Sequence, residues 1–131
     1  MYKIEKKDYG FKLTFGETIP VDEMKRWFDE SKKALAGAGD GFGVFVDMRT
    51  LQPLLPEAQA VMRDGQALYK QKGMVRSVVI LANPVITLQF KRIAKESGIY
   101  AWERYIDASS VANWEAVGVA WVRDGKDPDK K

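Results

Sequence analysis

Val75-Arg76-Ser77-Val78-Val79-Ile80-Leu81-Ala82 runs directly into Asn83-Pro84. Its aliphatic run Val78–Ala82, rich in β-branched residues, reads as part of a strand buried on both faces. Asn followed by Pro reads as a helix start. The Asn side chain can accept the first free backbone N–H groups, and Pro has no N–H to leave unsatisfied. A doubly buried strand that passes at once into a helix is half of a βαβ unit, so the stretch predicts a largely parallel sheet with this strand at its centre.

Downstream, Ile86, Phe90, Ile93 and Ala94 fall on one helical stripe that runs to Ser97, and Gly98 closes it. Ile99 to Ile106 reads as another strand. Glu103 and Arg104 point to opposite faces of it, which marks a sheet edge. Asp107-Ala108-Ser109-Ser110 offers N-caps for a last helix with Trp114, Val117 and Trp121 on one side.

Upstream, Tyr2 to Gly16 alternates apolar and polar residues about Lys7-Asp8-Tyr9-Gly10, the pattern of a β-hairpin. Pro20 to Ala36 carries Met24, Trp27, Phe28, Ser31 and Leu35 at helical spacing. Gly43 to Met48 reads as a second doubly buried strand, and Arg49 to Pro56 as a loop. A helix opens at Pro56 with Ala58, Val61, Met62, Gly65, Leu68 and Tyr69 inward and ends at Lys72-Gly73. The predicted class is α/β, in the order β-β-α-β-α-β-α-β-α, with a mixed, mostly parallel sheet of about five strands and four helices. One domain spans 1–123, followed by a polar tail, 124–131.

The 131 residues hold no Cys and no His. That removes thiol nucleophiles, disulfides, Cys/His zinc sites and His general bases. Adjacent carboxylates such as Asp22 and Glu23 fall at a helix start, outside any shared pocket. No phosphate-binding loop, nucleophile elbow or EF-hand spacing occurs, so no catalytic residue, metal or cofactor is expected. Net charge is +3. The N-terminus lacks the apolar core of a signal peptide, and the apolar runs are too short to span a bilayer. The expectation is a cytoplasmic, bacterial-type protein with at most peripheral membrane contact. The aromatic residues sit on inward stripes rather than among the basic ones, which argues against nucleic acid.

Several motifs together carry a resemblance. Val44-Phe45-Val46-Asp47 leads into a loop and helix, and a second strand ends Leu81-Ala82-Asn83-Pro84. The chain closes on Tyr105-Ile106-Asp107-Ala108 and Gly118-Val119-Ala120-Trp121-Val122. This resembles the SpoIIAA-like family of the STAS-like (anti-sigma-factor-antagonist-like) fold group. Regulatory members carry a phosphoacceptor Ser just after an Asp. The matching stretch is Asp47-Met48-Arg49-Thr50, where Met48 or Arg49 takes the acceptor position and Thr50 is the only nearby hydroxyl. The fold group is also similar to CRAL-TRIO lipid-carrying domains. That similarity implies an apolar ligand under the loop and helix that follow the Val44–Asp47 strand.

In an open α/β sheet, ligands bind outside the carboxyl ends of the strands. Asp47 and Arg49 lie at one such end, two residues apart, where a paired carboxylate and guanidinium could orient a polar headgroup. Asn83 lies at another. Leu51, Pro53, Leu54, Leu55 and Pro56 make an apolar loop that reads as a lid, a membrane- or partner-touching loop, or a lead-in to the helix core. Met62 and Tyr69 would form the helix wall of a pocket beneath it. Two functions are open: a module that holds an apolar or lipid-like small molecule, and a regulatory protein-interaction module switched at Thr50. Between Arg63 and Arg104, eight basic residues stand against three acidic ones, and Lys91 and Lys95 share a helix face. This excess could meet an anionic lipid surface or an acidic partner. Trp102, on the edge strand, could anchor a homodimer or equally cover the sheet under the last helix.

Overall fold

The computed structural model describes residues 1–130. Strands β1 (Tyr2–Lys7) and β2 (Gly10–Glu17) form the N-terminal hairpin. They are followed by α1 (Val21–Leu35), β3 (Phe42–Leu51), α2 (Pro56–Gln71), β4 (Met74–Leu81) and α3 (Pro84–Ser97). A short 3-10 turn (Tyr100–Trp102) leads into β5 (Glu103–Asp107), and α4 (Trp114–Asp124) closes the chain. The five strands make one mixed sheet in the order β1-β2-β3-β4-β5, antiparallel in the hairpin and parallel from β2 onward. This is a single α/β domain with four helices, as the alternation of strand and helix signals predicts.

The order corrects one detail. The centre of the sheet is β3, and β4 lies between it and β5. The aliphatic run at 78–82 announces burial on two faces, and any interior strand meets that condition. Val79 and Leu81 join the large core under α1, α2 and α3, whereas Val78 and Ile80 join the smaller one under α4. The three crossovers lay α1–α3 on the same face. After β5 the chain folds α4 over the opposite face, onto Phe45, Val78, Ile80 and Ile106. Each large apolar side chain buried there contributes about 2 kcal/mol.

The expected loop at 49–56 begins later than its prolines suggest, because β3 pairs with β2 as far as Leu51. The last helix also begins later. Asp107 accepts from the Ser109 N–H and hydroxyl in a tight turn, and α4 starts at Trp114. The tail is tied back to the sheet: Arg104 donates from Nε and an NH2 group to the two Asp127 oxygens at 2.8 and 2.9 Å. Lys131, the last residue of the expected tail, lies outside the described residues.

Two glycines set helix positions. A Cβ at Gly65 in α2 would stand 2.3 Å from the Trp27 ring, so α1 and α2 cross with the edge of the indole against backbone. A Cβ at Gly118 would stand 2.6 Å from the Phe45 ring, which sets how closely α4 rides on the sheet.

Candidate functional site

Asp47 and Arg49 come together at the carboxyl end of β3. Arg49 donates to the Asp47 carboxylate from its backbone N–H (3.1 Å), from Nε (3.0 Å) and from a terminal NH2 (2.9 Å). The guanidinium lies 4.2 Å from the centre of the Trp114 ring at the start of α4. Burial works against the charge on Asp47, yet the hydrogen bonds and charge of Arg49, helped by Lys12, hold its pKa below the ordinary carboxylate value. The pair neutralises itself. The guanidinium keeps N–H donors to spare, but a phosphate would meet the adjacent carboxylate, so the arrangement locks α4 to the rim better than it recruits an anion.

The other expected site residues separate. Thr50 is exposed, but it lies within β3 and not at a helix start. Asn83 caps α3, accepting from the Val85 and Ile86 N–H groups at 2.8 and 3.4 Å. Leu51, Leu54, Met62 and Tyr69 are all buried in the large core. The Tyr69 hydroxyl is 2.8 Å from the Ser31 hydroxyl beneath α1. Leu55 alone of the loop leucines points outward, at 69% exposure.

A void of about 30 Å³ lies in this core, among Met62, Gln66, Tyr69, Trp27, Ser77 and Glu103. It has room for about two water molecules. Pockets that enclose small-molecule ligands run to about 300 Å³ and more, so an acyl chain would need the core to open.

The outer side of α3 is different. The Leu54 N–H donates to the Gln89 side-chain oxygen at 3.0 Å, and the Leu54 carbonyl accepts from Gln89 and Gln59 side chains at 3.3 and 2.8 Å. These bonds hold the loop against the first turns of α3 and set Leu55 beside that helix. Val85 and Leu88, one turn apart, are 55% and 71% exposed. Further along come Lys91, Arg92 and Lys95. Lys91 lies over the Tyr105 ring and Lys95 over the Tyr100 ring, at 5.4 and 4.8 Å. Arg92 contacts Gln59 and, at 3.6 Å, Glu96.

Sequence reasoning missed Glu103. Its charge reads as a mark of exposed edge, yet it is only 4% exposed and its carboxyl meets the internal void. The Ser77 hydroxyl donates to it at 3.1 Å and the Tyr105 hydroxyl at 2.6 Å. Burial pushes its pKa up to about 7 against those two hydrogen bonds. The one signal in the sequence is Glu-x-Tyr in a strand, which sets acid and phenol on the same face.

Among the described residues no cluster of three acidic, His or Cys side chains could hold a metal, and no helix is long and apolar enough to cross a membrane. No protein-family model matches the chain, and none of the curated proteins matches it.

Proposed function

We propose that this protein is a non-enzymatic binding module of the SpoIIAA-like, STAS-like kind that docks on an anionic lipid surface through the outer side of α3 and the adjoining loop. The family assignment draws support from the element order and from the strand-end motifs at Asp47, Asn83 and Asp107. One observation carries the docking surface. Of six large apolar side chains exposed among the described residues, four (Leu55, Val85, Leu88 and Tyr100) flank α3. A helix whose first turns are apolar on both sides has an outer face suited to a cover. The same helix continues into Lys91, Arg92 and Lys95, so aliphatic, aromatic and basic groups follow one another as they do at bilayer interfaces. The lipid chemistry is met at the surface, where it needs no large internal pocket.

Cosedimentation with phosphatidylcholine vesicles, with and without phosphatidylglycerol, tests this. A basic residue near an anionic leaflet contributes about 1 kcal/mol. With Glu96 offsetting one of the three cations, the anionic vesicles should bind roughly thirtyfold more tightly. Leu88→Asp and high salt should each abolish the binding. Equal binding to both vesicles, or none to the anionic ones, overturns the proposal. So does a concentration-dependent dimer that Leu88→Asp dissolves while vesicles remain unbound.

A further inference from the structure

Glu103 is a fully buried acid with only neutral partners. Its hydrogen bonds come from the Ser77 hydroxyl on β4 and the Tyr105 hydroxyl on its own strand. No charged group on the surrounding elements is bonded to Glu103 among the described residues. On α3, Lys91 and Lys95 lie over the rings of Tyr105 and Tyr100, and Glu96 faces Arg63 and Arg92. On α2, the Lys70 ammonium lies against Gly98, while Gln66 accepts from the Ser97 hydroxyl at 2.7 Å. Tyr69, also on α2, is bonded to Ser31 of α1. The next residue, Arg104, turns to the other face of the sheet and holds Asp127. No salt bridge reaches Glu103 among the described residues.

A lone carboxylate in such a place is costly, whereas a neutral carboxylic acid is a donor and an acceptor that fits it. The void beside it is not wholly apolar. Gln66, Ser77 and Glu103 line it, as does Trp27, whose buried indole nitrogen makes no hydrogen bond of ordinary geometry among the described residues. Those few polar groups at an otherwise apolar void give an entering water somewhere to bond, and such a water can carry a proton to and from the acid. One side of the chamber is the shortest strand of the sheet: the five-residue edge strand β5, joined to α3 through Gly98 and a single 3-10 turn.

From this geometry we infer that Glu103 is a proton-operated latch. With its proton it closes β5 and the end of α3 over the void, and on losing the proton it lets water in and loosens that corner. The ionised carboxylate is hydrated when the corner opens, so opening and proton release are linked. The open form titrates as an ordinary Glu and the closed form near neutrality. The opening constant therefore rises about tenfold per pH unit from about 5 to 7 and levels off above.

The test is amide hydrogen exchange by NMR on the full chain, corrected for the intrinsic pH dependence of exchange. Protection in β5 and the last turn of α3 should fall about fortyfold between pH 5 and 7, while β2 and β3 stay flat. Glu103→Gln should remove the dependence. Direct titration of the Glu103 side-chain carboxyl carbon in the unaltered protein gives a second reading, independent of whether the variant folds. A midpoint below about 5, or a β5 profile unchanged by Glu103→Gln, overturns the latch. Neither measurement involves lipid, so the latch and the docking surface stand or fall separately.

Discussion

Glu103→Gln should make this protein more stable at neutral pH and have a near-constant effect in acid. The substitution keeps the shape of the side chain and removes its charge. The unfolded chain releases the Glu103 proton near 4.5, whereas the folded chain holds it to about 7. Between those values the folded state carries a proton that the unfolded state has lost, so rising pH favours unfolding. The stabilisation is whole below 4.5, declines through the interval and is gone above about 7. Raising a pKa from 4.5 to about 7 corresponds to about 3 kcal/mol. That is a large share of a typical domain stability of about 5–15 kcal/mol. Gln has no proton to lose. Exchanging the acid O–H for an amide costs about 1 kcal/mol at every pH and displaces the whole curve. Asp47, whose pKa is lowered, gives the opposite pH dependence in more acid solution, but it is present in both proteins and cancels. Urea unfolding of both proteins at about pH 4.5 and pH 8 measures the difference. Its change between the two conditions should be about 3 kcal/mol in favour of the variant. A difference constant to about 0.5 kcal/mol would refute the reasoning, because Glu103 would then ionise as freely folded as unfolded.

Two further outcomes follow from the packing. Gly65→Ala should destabilise by about 1–2 kcal/mol although Ala favours helix: the new Cβ meets Trp27, which is stacked on Tyr69 and set edge-on against Phe15, and overpacking outweighs the propensity gain. Thermal unfolding should show a melting temperature lower by about 5 °C. Asn83→Ala should cost about 1 kcal/mol in urea unfolding, since two N–H groups at the start of α3 lose their acceptor; an effect near zero would mean that water replaces the cap fully.

Element order and type were legible because the two periodicities are strong. The inward stripe Ile86, Phe90, Ile93, Ala94 is the buried set of α3, and the Asn83-Pro84 start behaves as its chemistry demands. What stayed hidden depends on neighbours distant in the chain. Hydrophobicity tells that β4 is covered on both faces, but not which strand is central. The prolines at 53 and 56 disguise three residues of strand, because pairing with β2 decides where β3 ends. At the candidate site the Asp47–Arg49 pair was readable from spacing alone. Its neutralisation and its stacking on Trp114 were not, since Trp114 arrives from sixty-five residues further along. Glu103 was misread for a related reason. A charge in a strand usually marks solvent, and only the hydroxyls of Ser77 and Tyr105 make this one tolerable in the core.

The sheet is laid down in the order in which the chain is written, and that has a consequence for growth. Each parallel strand joins the free edge left by its predecessor, and no strand is threaded between two already paired. Every addition closes a loop about one helix long, so each step has a similar chain-closure cost and needs no earlier pairing undone. Such an architecture has no internal reason to stop at five strands. The stop is written on its borders. β1 carries Lys3, Lys6 and Lys7 along one rim, and β5, at the other, carries Arg104 paired with Asp127. Charges placed on edge strands work against the continuation of one molecule's sheet by the next.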